Sequence, residues 1–301
     1  MDHERIMTEF QVAAVQMNSG ESKSENYAQA EALVRRAVAD GARLVVLPEY
    51  FNCLGDRRKM LAEAEPLDGP TAQFLAGLAR ELKITLVGGT FCERSPDATH
   101  AYNTSLTFDA AGACLARYRK LHLFDVDLPG RLTYCESSWL APGSDVVTCE
   151  LSIDAHENVD EKVDDIRVGN STGGHPSPAR LKSALAICYD LRFPELFRLF
   201  ADAGAELLIV PAAFTMATGR DHWELLCRAR AVENQCFLIA SNQTGKHAAL
   251  ETFGHSMVVD PWGVVLSSVD EGPGIASASI TRARLEEVRA QLPALKHRRM
   301  F

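Results

Sequence analysis

Short apolar runs with no polar face alternate, almost from end to end of this 301-residue chain, with segments striped at helical spacing. "FQVAAVQM" (10–17), "RLVVLPEY" (43–50), "KITLVGGTF" (83–91), "SALAIC" (183–188), "ELLIVP" (206–211) and "CFLIAS" (236–241) read as strands covered on both faces. Between them, Ala30, Leu33, Val34, Ala37 and Val38 form one helical stripe ending at Gly41, and Ala72, Leu75, Ala76, Ala79 and Leu82 form another. "PELFRLFADAG" carries Pro194 where a first helical turn begins and Gly204 just past its end. The rhythm predicts an α/β protein with buried sheets and helices outside.

The remaining segments follow the same pattern. "YNTSLTFDAAGACLARYRK" predicts two strands joined by a tight turn at Ala111–Gly112, and "SMVVD", "GVVLSS" and "GIASASI" are further strands. "DHWELLCRARAVENQ" predicts a helix opened by Asp221 and Glu224 as a capping box, and "TRARLEEVRAQLP" a last helix stopped by Pro293. No break in composition separates two domains, so residues 1–301 are expected to form one. Residues 152–178 are polar, acidic and rich in turn formers, and read as a solvated insertion. They precede the strand that runs to Cys188, which predicts a position at the opposite edge of the sheet from that thiol.

A net charge of −9 argues against nucleic acid or an acidic membrane surface as partner and leaves small molecules open. The first ten residues lack the basic and then apolar run of an export signal, and no segment is long and apolar enough to span a bilayer. A cytoplasmic protein with eight reduced cysteines is expected. No C-x-x-C pair occurs, so no metal site is expected.

Three strands stop abruptly: one delivers Glu49, one Cys188, and one the loop "AAFTMATG" around Thr215. In parallel α/β sheets, ligands bind at the carboxyl ends of strands, so these three positions are expected on one rim. Each residue also has an inert explanation. Cys188 could be core, Glu49 a cap, and Lys120 in "ARYRKLHLF" a solvated edge-strand lysine. A helix start just after Cys188 favours thiolate. "GHSMV" around Ser256 lacks the second glycine of a nucleophile elbow, and neither His222 nor His255 has a sequence neighbour that would orient it.

"VVLPEYF", "YRKLHLFDVDLPG" and "AICYDLRFPELFR", in that order, resemble the nitrilase superfamily of carbon–nitrogen hydrolases, and "HWELLCRARAVENQCF" and "GHSMVVDPWG" extend the likeness. The resemblance implies a four-layer α-β-β-α sandwich, two mostly buried sheets with helices outside. It places the family's catalytic glutamate, lysine and cysteine on Glu49, Lys120 and Cys188, and its second glutamate on Glu136 in "TYCESSWLAPG". It implies a homodimer or higher homo-oligomer and calls for no metal or organic cofactor. "CYDLRFPEL" looks like the amidase branch. "FDVDLPG" is similar to ω-amidases, and "GHSMVVDPWG" to deaminated-glutathione amidases. The implied activity is hydrolysis of the non-peptide amide of a small carboxylate metabolite. An N-carbamoyl-amine hydrolase or a non-catalytic interaction protein of the same fold remain as alternatives. Arg57, Arg58 and Lys59 read as a solvated basic turn rather than a carboxylate clamp.

The chemistry requires moving a proton uphill. A free thiol titrates near ~8.5 and a free glutamate near ~4.3, a gap of about 5.7 kcal/mol. Burial should raise the Glu49 value, while Lys120 and a helix start should lower that of Cys188. Glu49 would then take the thiol proton, and Lys120 with the Tyr189 N–H would hold the oxyanion. Asp190, Arg192 and Glu195 are expected to make caps and ion pairs.

Overall fold

The computed structural model describes residues 9–96, 99–130, 132–153, 179–248 and 250–299. In chain order the first half contains β1 (Glu9–Gln16), α1 (Lys23–Ala39), β2 (Leu44–Val46), α2 (Arg57–Ala62) and α3 (Pro70–Leu82). It continues with β3 (Thr85–Val87), β4 (Phe91–Arg94), β5 (Ala101–Phe108), β6 (Cys114–Arg119), β7 (Asp125–Leu128) and β8 (Leu132–Cys135). The second half begins with β9 (Thr148–Ile153), β10 (Ala179–Leu185), α4 (Pro194–Asp202), β11 (Leu207–Ala212), α5 (Met216–Asn234) and β12 (Phe237–Asn242). It ends with β13 (Thr244–Lys246), β14 (Glu251–Phe253), β15 (Met257–Val259), β16 (Val265–Ser268), β17 (Gly274–Thr281) and α6 (Arg282–Gln291).

Two sheets face each other. One has the order β17-β1-β2-β3-β5-β4, with β6 added on β5; the other has the order β16-β15-β12-β11-β10-β9. The side-chain alternation of β1 shows why the strand is apolar throughout. Ala13 and Val15 pack under α1 and α3, while Val12 and Ala14 face the second sheet. Helices α4 and α5 cover the far side of that second sheet through Phe197, Phe200, Trp223, Cys227 and Ala231. The layers are therefore the expected α-β-β-α sandwich. Ser241 on β12 joins the two sheets, donating to the carbonyls of Val46 at 3.0 Å and of Val15.

Four local expectations change. Helix α5 begins at Met216, with Thr215 in the N-cap position, so Asp221 and Glu224 lie inside it and form no capping box. The "TG" pair read as loop because glycine is a poor helix former. Gly219 lies in the first turn of α5, where Phe253 packs against it, and an added Cβ would stand 2.4 Å from the Phe253 Cβ. Strands β7 (125–128) and β8 (132–135) pair antiparallel, which the sequence reading did not foresee. The basic segment after Glu49 is the short helix α2, capped by Asp56. Arg57 and Arg58 are exposed, and Lys59 pairs with Glu63 at 2.9 Å.

The acidic stretch begins later than expected, because Ser152 and Ile153 still belong to β9. Residues 154–178 lie outside the described residues. Their flanks, Ile153 and Ala179, pair at the end of β10 remote from Cys188.

Candidate active site

The expected rim is assembled from two sheets, not one. Glu49 follows β2, which runs parallel to β1 and β3, whereas Cys188 follows β10, which runs parallel to β11 and β12. The sandwich brings these strand ends face to face, and Glu49 N–H bonds across to the Ala212 carbonyl at 3.3 Å. Beyond Glu49 the chain turns sharply through Tyr50 at φ 56°. Gly89 makes room for that turn. It sits at φ 55°, and a Cβ there would lie 2.1 Å from the Pro48 carbonyl oxygen.

Lys120 leaves the end of β6, pinned by its own N–H to Asn103 O at 2.9 Å and by its carbonyl to Gly143 N–H at 2.8 Å. It is no solvated edge lysine: it is 1% exposed. Its ammonium donates to Glu49 Oε1 at 2.9 Å and to both oxygens of Glu136, at 3.1 and 2.9 Å. Glu136 stands in a single 3₁₀ turn after β8 and also accepts from Phe124 N–H at 2.7 Å and Tyr50 OH at 3.0 Å. Glu49 is held further by Asn103 Nδ2 and Ala213 N–H, each at 2.7 Å. Its carboxylate and the Cys188 thiol line the same cavity. Four polar side chains thus meet in one water-poor space.

Cys188 occupies a left-handed conformation, φ 44°, which a non-glycine residue holds only when its surroundings over-determine it. The helix after it, α4, starts only at Pro194, beyond a 3₁₀ turn over Cys188–Arg192. The Tyr189 N–H precedes the first bond of this turn, Asp190 N–H to Ile187 O at 3.0 Å. It is one of the unsatisfied donors of a helical start.

Burial pushes the Glu49 carboxyl up from its ordinary value, against the pull of Lys120. Burial alone would lower Lys120, but Glu136 and Glu49 outweigh it and hold the ammonium charged. Burial, reinforced by the Glu49 charge, also pushes the Cys188 thiol well up, and Lys120 offsets this only in part. The expected fall in the thiol value is therefore corrected. Burial raises both members of the pair, and the thiol stays protonated until a base takes its proton.

The thiol opens to cavities on two sides. One is lined by Phe124, Tyr189, Arg192, Phe214, Thr215 and Thr218. The other is lined by Glu49, Lys120, Glu136, Tyr134 and Leu250. Thr215 lines both. Arg192 makes no ion pair among the described residues. It lies over Phe214 and Tyr189 and meets His222 Nδ1 at 3.3 Å, so it was missed as a pocket residue. Its place in the quoted "CYDLR" was the available signal. Asn103 and Leu250 had none, since strand pairing and hairpin folding bring them in. His255 bonds to the Phe253 carbonyl at 2.9 Å and lines neither cavity. Among the described residues no cluster could hold a metal ion, and no helix is long and apolar enough to cross a membrane.

Residues 11–290 match the model of the Carbon-nitrogen hydrolase family. The chain is 41% identical, over 97% of its length and 99% of the relative's, to a deaminated glutathione amidase of Synechocystis sp.. It is 37% identical, over 97% and 96%, to an omega-amidase of Homo sapiens. Its structure is similar to that of a branch 10 member of the nitrilase superfamily from Saccharomyces cerevisiae, with TM-score 0.81 and 32% identity, covering 99% of this chain and all of the other.

Proposed function

The chain belongs to the carbon–nitrogen hydrolase family, and from that premise we propose that it is a thiol-dependent amidase acting on the amide of a small carboxylate metabolite. The observation that carries this reading is the buried Glu49–Lys120–Glu136 cluster set against the Cys188 thiol. Glu49 takes the thiol proton as sulfur attacks the amide carbon, so a transferred proton rather than a resting thiolate supplies the nucleophile. Lys120 and the Tyr189 N–H stabilise the oxyanion. Glu136 fixes Lys120 through both of its carboxylate oxygens. The tetrahedral adduct collapses as Glu49 returns its proton to the departing nitrogen, leaving a thioester on Cys188. Glu49 then deprotonates water, which attacks the thioester and releases the acid and the thiol.

The acyl group of this reading is the ω-acyl of a 2-oxo dicarboxylic acid, in keeping with the likeness to a deaminated glutathione amidase and an omega-amidase. Arg192 supports this. It is a cation without a carboxylate partner among the described residues, in the wall of the cavity that holds the thiol. Thr215 and Thr218 offer hydroxyls beside it. The chemistry requires reduced cysteine, which supports a cytoplasmic setting. Leu199, Leu225 and Val232 expose apolar surface on α4 and α5, which supports a homo-oligomer.

Ammonia and amine release from 2-oxoglutaramate, deaminated glutathione, a carbamoyl amine and a simple nitrile tests the reading, with Cys188→Ala alongside. Turnover of either of the first two, lost in the variant, is expected. Turnover of the carbamoyl amine alone would move the enzyme to that class, and turnover of none by folded protein would sink the proposal.

A further inference from the structure

Behind the nucleophile, outside both cavities, the carboxylate of Asp190 is fully buried. Four groups converge on its two oxygens. Oδ2 accepts from the Ile187 backbone N–H at 2.8 Å and from the Tyr118 hydroxyl at 2.6 Å. Oδ1 accepts from the His122 backbone N–H at 3.1 Å and faces His122 Nδ1 at 2.7 Å. No lysine or arginine pairs with it among the described residues, so hydrogen bonds must compensate its burial.

The spacing of these partners is what gives Asp190 a role beyond filling space. Tyr118 and His122 stand two residues to either side of Lys120, and Ile187 immediately precedes Cys188. One carboxylate therefore holds both flanks of the lysine and the entry to the cysteine turn, without touching either reactive side chain. Its bond to Ile187 N–H is the reach-back contact of a capping box, closing the 3₁₀ turn on which Cys188 is kept left-handed. The β6 segment and the turn after β10 belong to different sheets. Phe124, whose N–H holds Glu136, follows two residues after His122, so the same clamp reaches the second glutamate through the backbone.

We propose that Asp190 is the positioning residue that registers the Cys188 thiol against the Lys120 ammonium, with Tyr118 and His122 acting through it. The inference rests on the catalytic reading of Cys188 and Lys120 above. Without the clamp the turn relaxes from its left-handed conformation and the thiol moves relative to the oxyanion donors. Substrate still enters the same cavity, because none of the three residues lines it. The defect should fall on kcat and spare KM.

The test compares Asp190→Asn, Tyr118→Phe, His122→Ala and His122→Asn. The readouts are kcat and KM on 2-oxoglutaramate or deaminated glutathione, and the rate of Cys188 alkylation by iodoacetamide, followed on the Cys188 peptide. Tyr118→Phe is expected to lower kcat about tenfold and Asp190→Asn about a hundredfold, with KM within about twofold. Alkylation should change in the same order. His122→Asn, whose amide can donate in place of Nδ1–H, should retain most of what His122→Ala loses, although both remove the ring stacked on Phe193. Adding Tyr118→Phe to Asp190→Asn should cost nothing more, because the hydroxyl acts through the carboxylate. Unchanged kcat and alkylation in folded Tyr118→Phe, losses confined to KM, or fully additive losses would overturn the proposal. Should Asp190→Asn fail to fold, Tyr118→Phe and the His122 pair decide. Alkylation decides even if neither amide is turned over, so a wrong substrate and a wrong clamp give different results.

Discussion

Glu49, Lys120 and Glu136 are each at most 3% exposed, and one ammonium serves two carboxylates. Removing that cation leaves two like charges buried side by side. Lys120→Met should therefore cost about 3–5 kcal/mol of stability, read by urea unfolding, as well as turnover. Glu49→Gln keeps the shape and loses the base. Its kcat should fall by about 10²–10⁴ with a much smaller change in unfolding midpoint. The pH dependence follows from the same burial. Glu49 must be ionised to accept the thiol proton, and its value is raised. The acid limb of kcat/KM should thus lie above the ordinary glutamate value near ~4.3. A limb at or below that value would show Lys120 outweighing desolvation. The thiol is also raised, so its alkylation should keep accelerating across pH 6 to 9 with no early plateau.

At the scale of elements, helix α5 and hairpin β13–β14 depend on one glycine. In an exposed helix interior, alanine would be favoured over glycine by about 1 kcal/mol. At Gly219 an added Cβ meets the Cβ of Phe253 at 2.4 Å, and a Cβ, unlike a side-chain tip, moves only with its backbone. The clash should win. Gly219→Ala is predicted to lower the melting temperature. It should also raise KM, because Leu250 on the same hairpin closes the catalytic cavity. A higher melting temperature with unchanged KM would show the hairpin giving way freely. The nucleophile's turn obeys similar logic: the acid at Asp190, not a long helix, sets its geometry.

For the whole molecule, the decisive contact is between sheets. Glu49 and Lys120 come from the first sheet and Cys188 from the second, so sliding one sheet over the other would dismantle the site. Ser241 is one fastener of that interface, reaching two carbonyls of the opposite sheet. Ser241→Ala leaves those carbonyls without this donor and should cost about 1–3 kcal/mol in thermal or urea unfolding. If the sheets shift as well, kcat falls with it. If packing alone holds the register, kcat stays unchanged.

The amino-acid sequence by itself determined the elements and their class. Short runs apolar on both faces and bounded by turn residues read as strands covered on both sides, and helical stripes need a surface to cover, so the layered α/β architecture was legible in the sequence. Glu49, Lys120, Glu136 and Cys188, which the fold brings to one cavity, stood out in ordered motifs, and each lies at or near an element's end. What only the tertiary structure decided is everything that depends on which surfaces meet. It put the rim's residues on two sheets, buried Lys120 between carboxylates, and left Arg192 beside the thiol without an acid partner among the described residues. It also drove the thiol's affinity for its proton up where local sequence suggested down. Desolvation and the field of Glu49 arise from neighbours distant in sequence. Local pattern carries the period of the chain, whereas electrostatics is set by what folding brings within a few ångströms.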